Sequence, residues 1–366
     1  MILAASPGMG GESESGVQLN ARGMQMYGAG RFQDAERLYR QALENWPLNG
    51  RERAAVTANL GETLRAMGRY TEAAPQLREA LRLMELTGPG TGSDFSHTLC
   101  SLAALYRTQG ELTKAEQLAE RATSTGREKD RNDAQLCLAS IYMEEQRYAE
   151  AEALIGGMTG TAQGTSAAVL YNNLAAAANA RRDFVRGEEL AQRALATARQ
   201  SVPERHALMA TILNTLAQAC RFQAKYMDAE ANYRLAIEMW QEALGSTHPD
   251  VARGLMNMAS FYHERSRESG AEELYRRAAA IFAGSLGEDH VESLIARNEL
   301  AEVLRAEHRY VESERLSRQS LTMLKVVLPA TDQRLQRALF NFALLLHETR
   351  RQKEADGILQ TLRASR

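Results

Sequence analysis

The sequence predicts an all-α solenoid built from about nine helix-turn-helix repeats over residues 17–366. Three observations support this prediction. A motif recurs every 36 to 42 residues along the 366-residue chain. Small and aromatic residues occupy fixed positions within each copy. The composition is helix-forming, because Ala, Leu, Arg and Glu are abundant and there are only 7 prolines.

The repeat is clearest at the start of its second helix. Residues 229–236 (AEANYRLA) recur 42 residues later as residues 271–278 (AEELYRRA), and residues 35–42 read AERLYRQA. The first small residue of this phrase recurs along the chain as Ala35, Ala73, Ala115, Ala151, Gly187, Ala229, Ala271, Ser313 and Ala355.

Two further positions define each copy as helix A, a short turn and helix B. Apolar residues around these positions recur at spacings of three and four, which is typical of amphipathic helices. Twelve residues before the phrase stands the small residue of helix A: Gly23, Gly61, Ala103, Ala139, Ala175, Ala217, Ala259, Ala301 and Ala343. Three residues before the phrase, helix B begins with an aromatic or apolar residue: Phe32, Tyr70, Leu112, Tyr148, Phe184, Tyr226 and Tyr310.

This arrangement resembles the tetratricopeptide repeat (TPR) family. The resemblance implies a right-handed superhelical solenoid in which each hairpin buries its apolar face by stacking on its neighbours. It also implies that helices A line a concave face that binds a partner segment. The sequence departs from the pattern at three positions, where Gly187 replaces Ala and where Glu268 and Gln352 replace the aromatic residue.

The longer copies resemble the repeats of kinesin light chains in their linkers. The linker motif is present at residues 244–252 (LGSTHPDVA) and again, without the proline, at residues 286–291 (LGEDHV). No heptad run precedes residue 17, so motor function is not implied. Because Pro fits the first turn of a helix and Asp favours its positive end, we expect His248-Pro249-Asp250 to start a helix A.

The glycine-rich segments are predicted to lie outside the helices. Residues 1–16 contain four glycines and no apolar period, and we expect them to form a flexible tail. Residues 88–92 and 156–160 fall between helix B of one copy and helix A of the next. We expect both to be linkers, since a phosphate-binding loop would need a preceding strand and a Gly-Lys-Ser/Thr ending.

Composition and motifs argue against several function classes. With 44 Lys+Arg against 46 Asp+Glu, the net charge of −2 disfavours a nucleic-acid binder. No run of 18 apolar residues predicts membrane insertion. Cys100, Cys137 and Cys220 are far apart in sequence, so we expect inert thiols, no metal, no cofactor and a reduced, cytoplasmic setting. Residues 1–5 leave open a truncated signal peptide. No catalytic motif is present, so an enzyme is not expected.

The predicted function is therefore a non-catalytic scaffold that binds a peptide or protein segment in its concave groove. The alternative is a ligand- or peptide-sensing regulator that acts on a separate effector chain. Asn side chains near the start of helix A can pair with a peptide backbone, and these are Asn59, Asn172, Asn173, Asn214, Asn257, Asn298 and Asn341.

A second set lies four residues after the small residue of helix A and predicts the charge of the partner. Its polar members are Arg65, Arg107, Asn179, Arg221, His263, Arg305 and His347. A row of arginines favours an acidic or carboxylate-bearing segment. The alternative is that the arginines pair within the protein, as Glu62 and Glu302 would allow for Arg65 and Arg305.

Overall fold

The computed structural model describes residues 15–45, 49–88, 93–125, 128–145, 147–159, 164–203 and 205–364. These residues form eighteen α-helices in chain order. They are α1 (Gly16–Gly28), α2 (Phe32–Asn45), α3 (Gly50–Ala66), α4 (Tyr70–Thr87), α5 (Ser93–Thr108), α6 (Leu112–Thr125), α7 (Glu128–Glu144), α8 (Tyr148–Thr159), α9 (Gly164–Ala180), α10 (Phe184–Arg199), α11 (Ala207–Phe222), α12 (Tyr226–Leu244), α13 (Pro249–Glu264), α14 (Glu268–Leu286), α15 (Val291–Ala306), α16 (Tyr310–Val327), α17 (Gln333–Glu348) and α18 (Gln352–Ala364).

The helices pair as the sequence predicts. Each odd-numbered helix is a helix A and packs against the following helix B, and each helix B then packs against the next helix A. Small residues stand where the two helices of a pair meet. A Cβ atom on Gly23 would lie 2.4 Å from the ring of Tyr39, and Ala229 and Ala271 are completely buried. The close approach of the paired helices therefore depends on these small residues.

The His-Pro-Asp segment starts a helix, which confirms that prediction. Pro249 is the first residue of α13, and Nδ1 of His248 accepts a hydrogen bond from the amide of Asp250 at 3.1 Å. His290 caps α15 in the same way, since its Nδ1 accepts from the amide of Glu292 at 3.1 Å. These caps satisfy amides that a helix N-terminus would otherwise leave unpaired.

One linker prediction is wrong. Residues 156–159 are the last turn of α8 and not a loop, because an apolar face carries the helix through both glycines: Ile155 and Met158 are buried. Residues 89–92 and residue 160 lie outside the described residues. Residues 1–14 of the expected tail also lie outside them, and Ser15 caps α1.

The superhelix brings its first repeats against its last ones. The A–B turn of α1–α2 contacts the start of α13, since a Cβ atom on Gly30 would lie 2.9 Å from the His248 ring and 3.0 Å from Pro249. A Cβ atom on Gly68, in the next A–B turn, would lie 2.7 Å from the His290 ring. A Cβ atom on Gly110, in the third A–B turn, would lie 3.1 Å from Pro329. Helices α2 and α14 are also in contact. We call this line of contacts the seam; it joins A–B turns to linkers six repeats further along the chain.

The seam explains why glycine stands in the turns of the first three repeats. All three glycines have positive φ, between 71° and 77°. The same turn position in later repeats also has positive φ, between 53° and 65°, yet it holds the exposed residues Arg182, Ala224, Ser266, His308 and Arg350. Positive φ alone therefore does not require glycine here. Glycine is required in the first three repeats because the opposing linker occupies the space that a side chain would need.

His290 is the most closely held residue of the seam. The carbonyl of Ala66, at the end of α3, accepts a hydrogen bond from its ring. The pKa of His290 is lowered to about 4, mainly by burial and also by the nearby charges of Arg253, Arg334 and Arg65, while the hydrogen bond to that carbonyl opposes them. The neutral ring thus links the C-terminus of α3 to the N-terminus of α15.

Candidate functional site

The helices A of neighbouring repeats pack side by side along the solenoid. Several of them contact the helix A of the next repeat directly: α1 with α3, α3 with α5, α5 with α7, α9 with α11, and α15 with α17. We use the term inner wall for the residues of these helices that lie two, three and six residues before the small residue of helix A, and one, four and five residues after it. The residues that the sequence predicts as binding residues lie two or three residues before the small residue, or four residues after it.

The arginines of the inner wall are paired with glutamates. Nε of Arg221 donates to Oε2 of Glu264 at 2.7 Å, and Nη1 of Arg107 donates to Oε2 of Glu144 at 3.1 Å. Arg305 pairs with Glu348 in the same geometry. In all three pairs the glutamate lies at the end of the next helix A. The arginines therefore connect successive repeats.

Two arginines also pair within their own helix, as the alternative interpretation proposed. Arg65 binds Glu62 through Nε and Nη2 at 2.9 and 2.6 Å, and Tyr27 donates to the same carboxylate at 2.9 Å. Burial alone would raise the pKa of Glu62, but the charge and hydrogen bonds of Arg65 lower it to about 2. Arg305 binds Glu302 through Nε at 2.9 Å.

The two histidines that lie four residues after the small residue of helix A differ in environment. Nδ1 of His263 lies 2.6 Å from Oε2 of Glu268, so its ring is tied to the start of α14. His347 is exposed near the end of α17. The inner wall thus carries both signs of charge, and its arginines do not form an uncompensated positive row.

Several asparagines connect neighbouring repeats. Nδ2 of Asn59 donates to Oδ1 of Asn20 at 2.9 Å, and Nδ2 of Asn257 donates to Oδ1 of Asn214 at 3.0 Å. Each pair joins the residue three before the small residue of one helix A to the residue two before the small residue of the next. We call such a pair of positions a rung. Asn298 and Asn341 occupy a rung, but no hydrogen bond joins them, and the buried Oδ1 of Asn298 has no donor among the described residues.

The other asparagines fall into two groups. Asn179 turns toward α10, where its Oδ1 occupies the space of a Cβ atom on Gly187, and its Nδ2 donates to the Thr215 carbonyl at 3.1 Å. This contact accounts for the glycine that departs from the repeat pattern. Asn172 is buried, with its Oδ1 unpartnered within the described part of the chain. Asn173 and Asn341 are half-buried, and neither has a hydrogen-bond partner among the described residues.

Three features of the inner wall were not predicted from the sequence. Phe340 and Leu344 are exposed one turn apart on α17, with 48% and 37% of their surfaces accessible. Asn20 was omitted although it shares a rung with Asn59. Cys100 and Cys137 occupy the rung between α5 and α7, and the Cys137 thiol donates to the carbonyl oxygen of Cys100 at 3.8 Å. Reading the two rung positions across successive repeats would have found both pairs.

No group of three or more His, Cys, Asp or Glu side chains among the residues that the structure describes is placed to hold a metal ion. None of the described helices is long and apolar enough to cross a membrane.

The family assignment follows from direct comparison. The tetratricopeptide repeat family matches residues 17–86, 52–128, 166–242, 208–284 and 250–326, which together span well over half of the chain. The chain belongs to the tetratricopeptide repeat family. Members of this family are typically scaffolds for protein–protein interaction, and the helical pairs, small residues and solenoid described above are those of TPR proteins. No curated protein matches the chain.

Solved structures match the chain at low sequence identity. A Podosopora anserina structure of nearly identical TPR-like repeats, of the kinesin light chain type, is 20% identical with a TM-score of 0.45 over 53% of this chain and 92% of its own. BtubC (BKLC) from P. vanneervenii is 17% identical with a TM-score of 0.48 over 64% and 90% of the two chains. The Cut9–Hcn1 hetero-tetramer of the APC/C is 13% identical with a TM-score of 0.53 over 92% and 57%. Identities this low concern the fold alone.

Proposed function

We propose that this TPR protein is a non-catalytic scaffold that holds an extended segment of a partner protein along its inner wall. The observation that carries the proposal is the unused hydrogen-bonding capacity at Asn173 and Asn341. Both amides are half-buried on helices A and have no partner among the described residues, whereas Asn59 and Asn257 are used between repeats. An Asn amide both donates and accepts, so it can pair with a peptide backbone whatever the sequence of the peptide.

Apolar side chains on α17 would supply part of the affinity. Phe340 and Leu344 flank Asn341 on one face of this helix, and both are exposed. An apolar side chain of the peptide that packs on these two residues would remove apolar surface from water, at about 25 cal/mol per Å². The favoured partner segment therefore carries an apolar residue beside a stretch recognised through its backbone.

We further propose that the partner segment is acidic and binds the paired arginines. Glu264 is 49% exposed at its side chain, whereas Arg221 is only 9% exposed. A carboxylate of the partner could take the place of Glu264 on the Arg221 guanidinium, which would keep its bidentate pairing. The preference for an acidic partner then results from a partner carboxylate replacing the glutamate on the arginine, and not from an unpaired positive charge.

The experiment uses a random linear peptide library displayed on phage and panned against the full chain. Peptides that bind are synthesised, and their affinities are measured by fluorescence anisotropy. Asn173→Ala combined with Asn341→Ala should weaken binding about tenfold or more, equivalent to about 1.4 kcal/mol. Asn232→Ala, on helix B of the repeat α11–α12, is the matched control. Equal affinity of the double variant and the control, or a library that yields no binder, would contradict the proposal.

A sensing role is favoured by one other feature, a cavity at the seam. It has a volume of about 450 Å³ and lies between the first repeat and α14, with Gln33 and Asp34 on one side and Ile281 and Gly284 on the other. A small molecule bound here would hold the first repeat against α14. Gly284→Leu should fill the cavity, and a compound that raises the melting temperature of the parent should lose this effect in the variant. A small-molecule screen in which no compound shows this pattern would leave the scaffold as the better interpretation.

A further inference from the structure

Cys100 and Cys137 come together on the inner wall although 36 residues separate them in the chain. Cys100 lies three residues before the small residue of α5, and Cys137 lies two residues before that of α7. These are the two positions of a rung, which asparagines occupy in the pairs Asn20–Asn59 and Asn214–Asn257. The rung geometry brings polar side chains of successive repeats into hydrogen-bonding contact, and here it brings two thiols together.

The contact between the two cysteines joins a thiol to the backbone of the neighbouring repeat. The Cys137 thiol donates to the carbonyl oxygen of Cys100, with Sγ 3.8 Å from that oxygen. Helices α5 and α7 are in direct contact along this stretch. A disulfide between the two sulfur atoms, with a bond length of about 2.05 Å, would join these two helices.

The surroundings favour an ionised sulfur at Cys137. The neighbouring Cys100 side chain lowers the pKa of Cys137, the charges of Arg107 and Arg65 lower it as well, and burial opposes them. The Cys137 side chain and burial raise the pKa of Cys100. The buried Nε of Arg107 has no acceptor among the described residues. A thiolate beside this guanidinium is the reactive form of cysteine.

Both thiols are partly accessible, in contrast to the third cysteine. Cys100 and Cys137 are half-buried on the wall of the groove, whereas Cys220 is buried. Burial, together with the charges of Glu188 and Asp228, raises the pKa of Cys220 to about 11. The chain thus contains an unreactive cysteine that serves as an internal reference.

We propose that Cys100 and Cys137 form a redox-responsive dithiol that hydrogen peroxide converts into a disulfide between successive repeats. The Cys137 thiolate attacks one peroxide oxygen, the O–O bond breaks, and the departing hydroxide takes up a proton to become water. Cys137 is now a sulfenic acid. The Cys100 sulfur gives up its proton and attacks the Cys137 sulfur, the S–O bond breaks, and a second water leaves. Two thiols and one peroxide yield one disulfide and two waters.

The disulfide would fix α5 against α7 on the inner wall. The groove is built from the relative placement of successive helices A, so a covalent bond between two of them restricts its shape. A thiol reductant such as glutathione would restore the two thiols by exchange and become oxidised in turn. This inference does not depend on which partner occupies the groove.

The experiment treats the full chain with increasing hydrogen peroxide, blocks the remaining thiols by alkylation and digests the protein with trypsin. Mass spectrometry should find a linked pair of peptides containing Cys100 and Cys137, two hydrogen masses lighter than the separate peptides, while Cys220 stays alkylated. Cys220→Ser should behave as the parent does. Cys100→Ser should leave a sulfenic acid at Cys137 that dimedone traps, and Cys137→Ser should slow the reaction of the chain with peroxide about tenfold or more.

A second measurement separates an activated thiol from one that is merely accessible. The rate of alkylation at Cys137 is followed against pH in the parent and in Arg107→Gln. The variant should react more slowly near neutral pH and equally fast at high pH, where the thiol is ionised in both proteins. Equal oxidation of all three cysteines, links only between chains, or no link in a chain whose helicity is intact would overturn the proposal.

Discussion

The ring of His290 fills the space into which a side chain on Gly68 would project. A Cβ atom on Gly68 would lie 2.7 Å from the His290 ring, closer than real Cβ atoms approach a neighbour. Repeats that face no linker carry Ala224 or Ser266 at the same turn position with the same sign of φ. The pairing of glycine with an opposing linker residue indicates that the closed form of the superhelix is encoded in the sequence.

The first prediction is that Gly68 and His290 are energetically coupled. Gly68→Ala should lower the free energy of unfolding by about 1–3 kcal/mol through overpacking against the ring, in addition to the strain of positive φ. In a His290→Ser background, which keeps a capping side chain for α15, the same substitution should cost only the strain of positive φ, about 1–2 kcal/mol. Urea unfolding followed by circular dichroism gives the four values of the cycle. A coupling energy of zero within error would mean that the seam is not closed in solution.

The second prediction concerns pH. The pKa of His290 is about 4 in the folded chain against an ordinary value of 6.5, so the unfolded chain binds a proton there before the folded chain does. The contribution of His290 to stability is complete above pH 6.5 and is lost as the pH falls from 6.5 to 4. It amounts to at most about 3 kcal/mol, since each pKa unit is worth about 1.4 kcal/mol.

The seam histidine can be tested against an exposed one. His290→Asn, which also caps a helix, should flatten the stability curve between pH 6.5 and 4, whereas the exposed His97→Asn should leave its slope unchanged. Stability is measured from urea midpoints across this pH range. A slope that persists in His290→Asn would assign the pH dependence to other groups.

The third prediction concerns the small residues between paired helices. Ala229 and Ala271 are completely buried where helices A and B meet. Ala229→Leu and Ala271→Leu should each cost about 1–3 kcal/mol, because the added methyl groups force the helices apart. Ala243→Leu, at an exposed position of α12, is the control and should change the melting temperature little. Equal effects at buried and exposed positions would show that helix propensity, not packing, sets the cost.

The helices and their pairing could be predicted because each copy repeats the same local signals. The spacing of small and aromatic residues predicts where a helix A meets a helix B, and the contacts of Gly23 with Tyr39 confirm it. Gly187 could not be explained from the pattern, because its reason is the side chain of Asn179 on the neighbouring helix. The last turn of α8 was missed because two adjacent glycines outweighed the apolar face that Ile155 and Met158 provide.

The site could be predicted in outline and not in its pairings. The positions of Arg107, Arg221 and Arg305 on helices A follow from the repeat. Their glutamate partners lie one repeat away, 37 or 43 residues along the chain, so the local spacing did not indicate them. The contacts of the seam could not be predicted for the same reason. The seam depends on how many repeats complete one turn of the superhelix, and this number follows from small angles summed over many packing contacts.

The fourth prediction tests the acidic partner through the glutamates that compete for the same arginines. Glu264→Gln with Glu348→Gln removes the carboxylates that bind Arg221 and Arg305 from the next helix A. The affinity for an acidic peptide selected from the library should rise about three- to tenfold, equivalent to about 1 kcal/mol. The gain should shrink at high salt and should be absent for the same peptide with its acidic residues changed to amides.

The matched control for this pair is Glu238→Gln, an exposed glutamate on α12 that lies on a helix B. Its affinity for the acidic peptide should equal that of the parent. The opposite change, Arg221→Glu with Arg305→Glu, should weaken binding of the acidic peptide, most strongly at low salt, and circular dichroism must show that its helices persist. If the glutamine variants bind the acidic peptide no better than Glu238→Gln does, the arginines only connect repeats. Recognition then rests on Asn173, Asn341 and the apolar pair on α17.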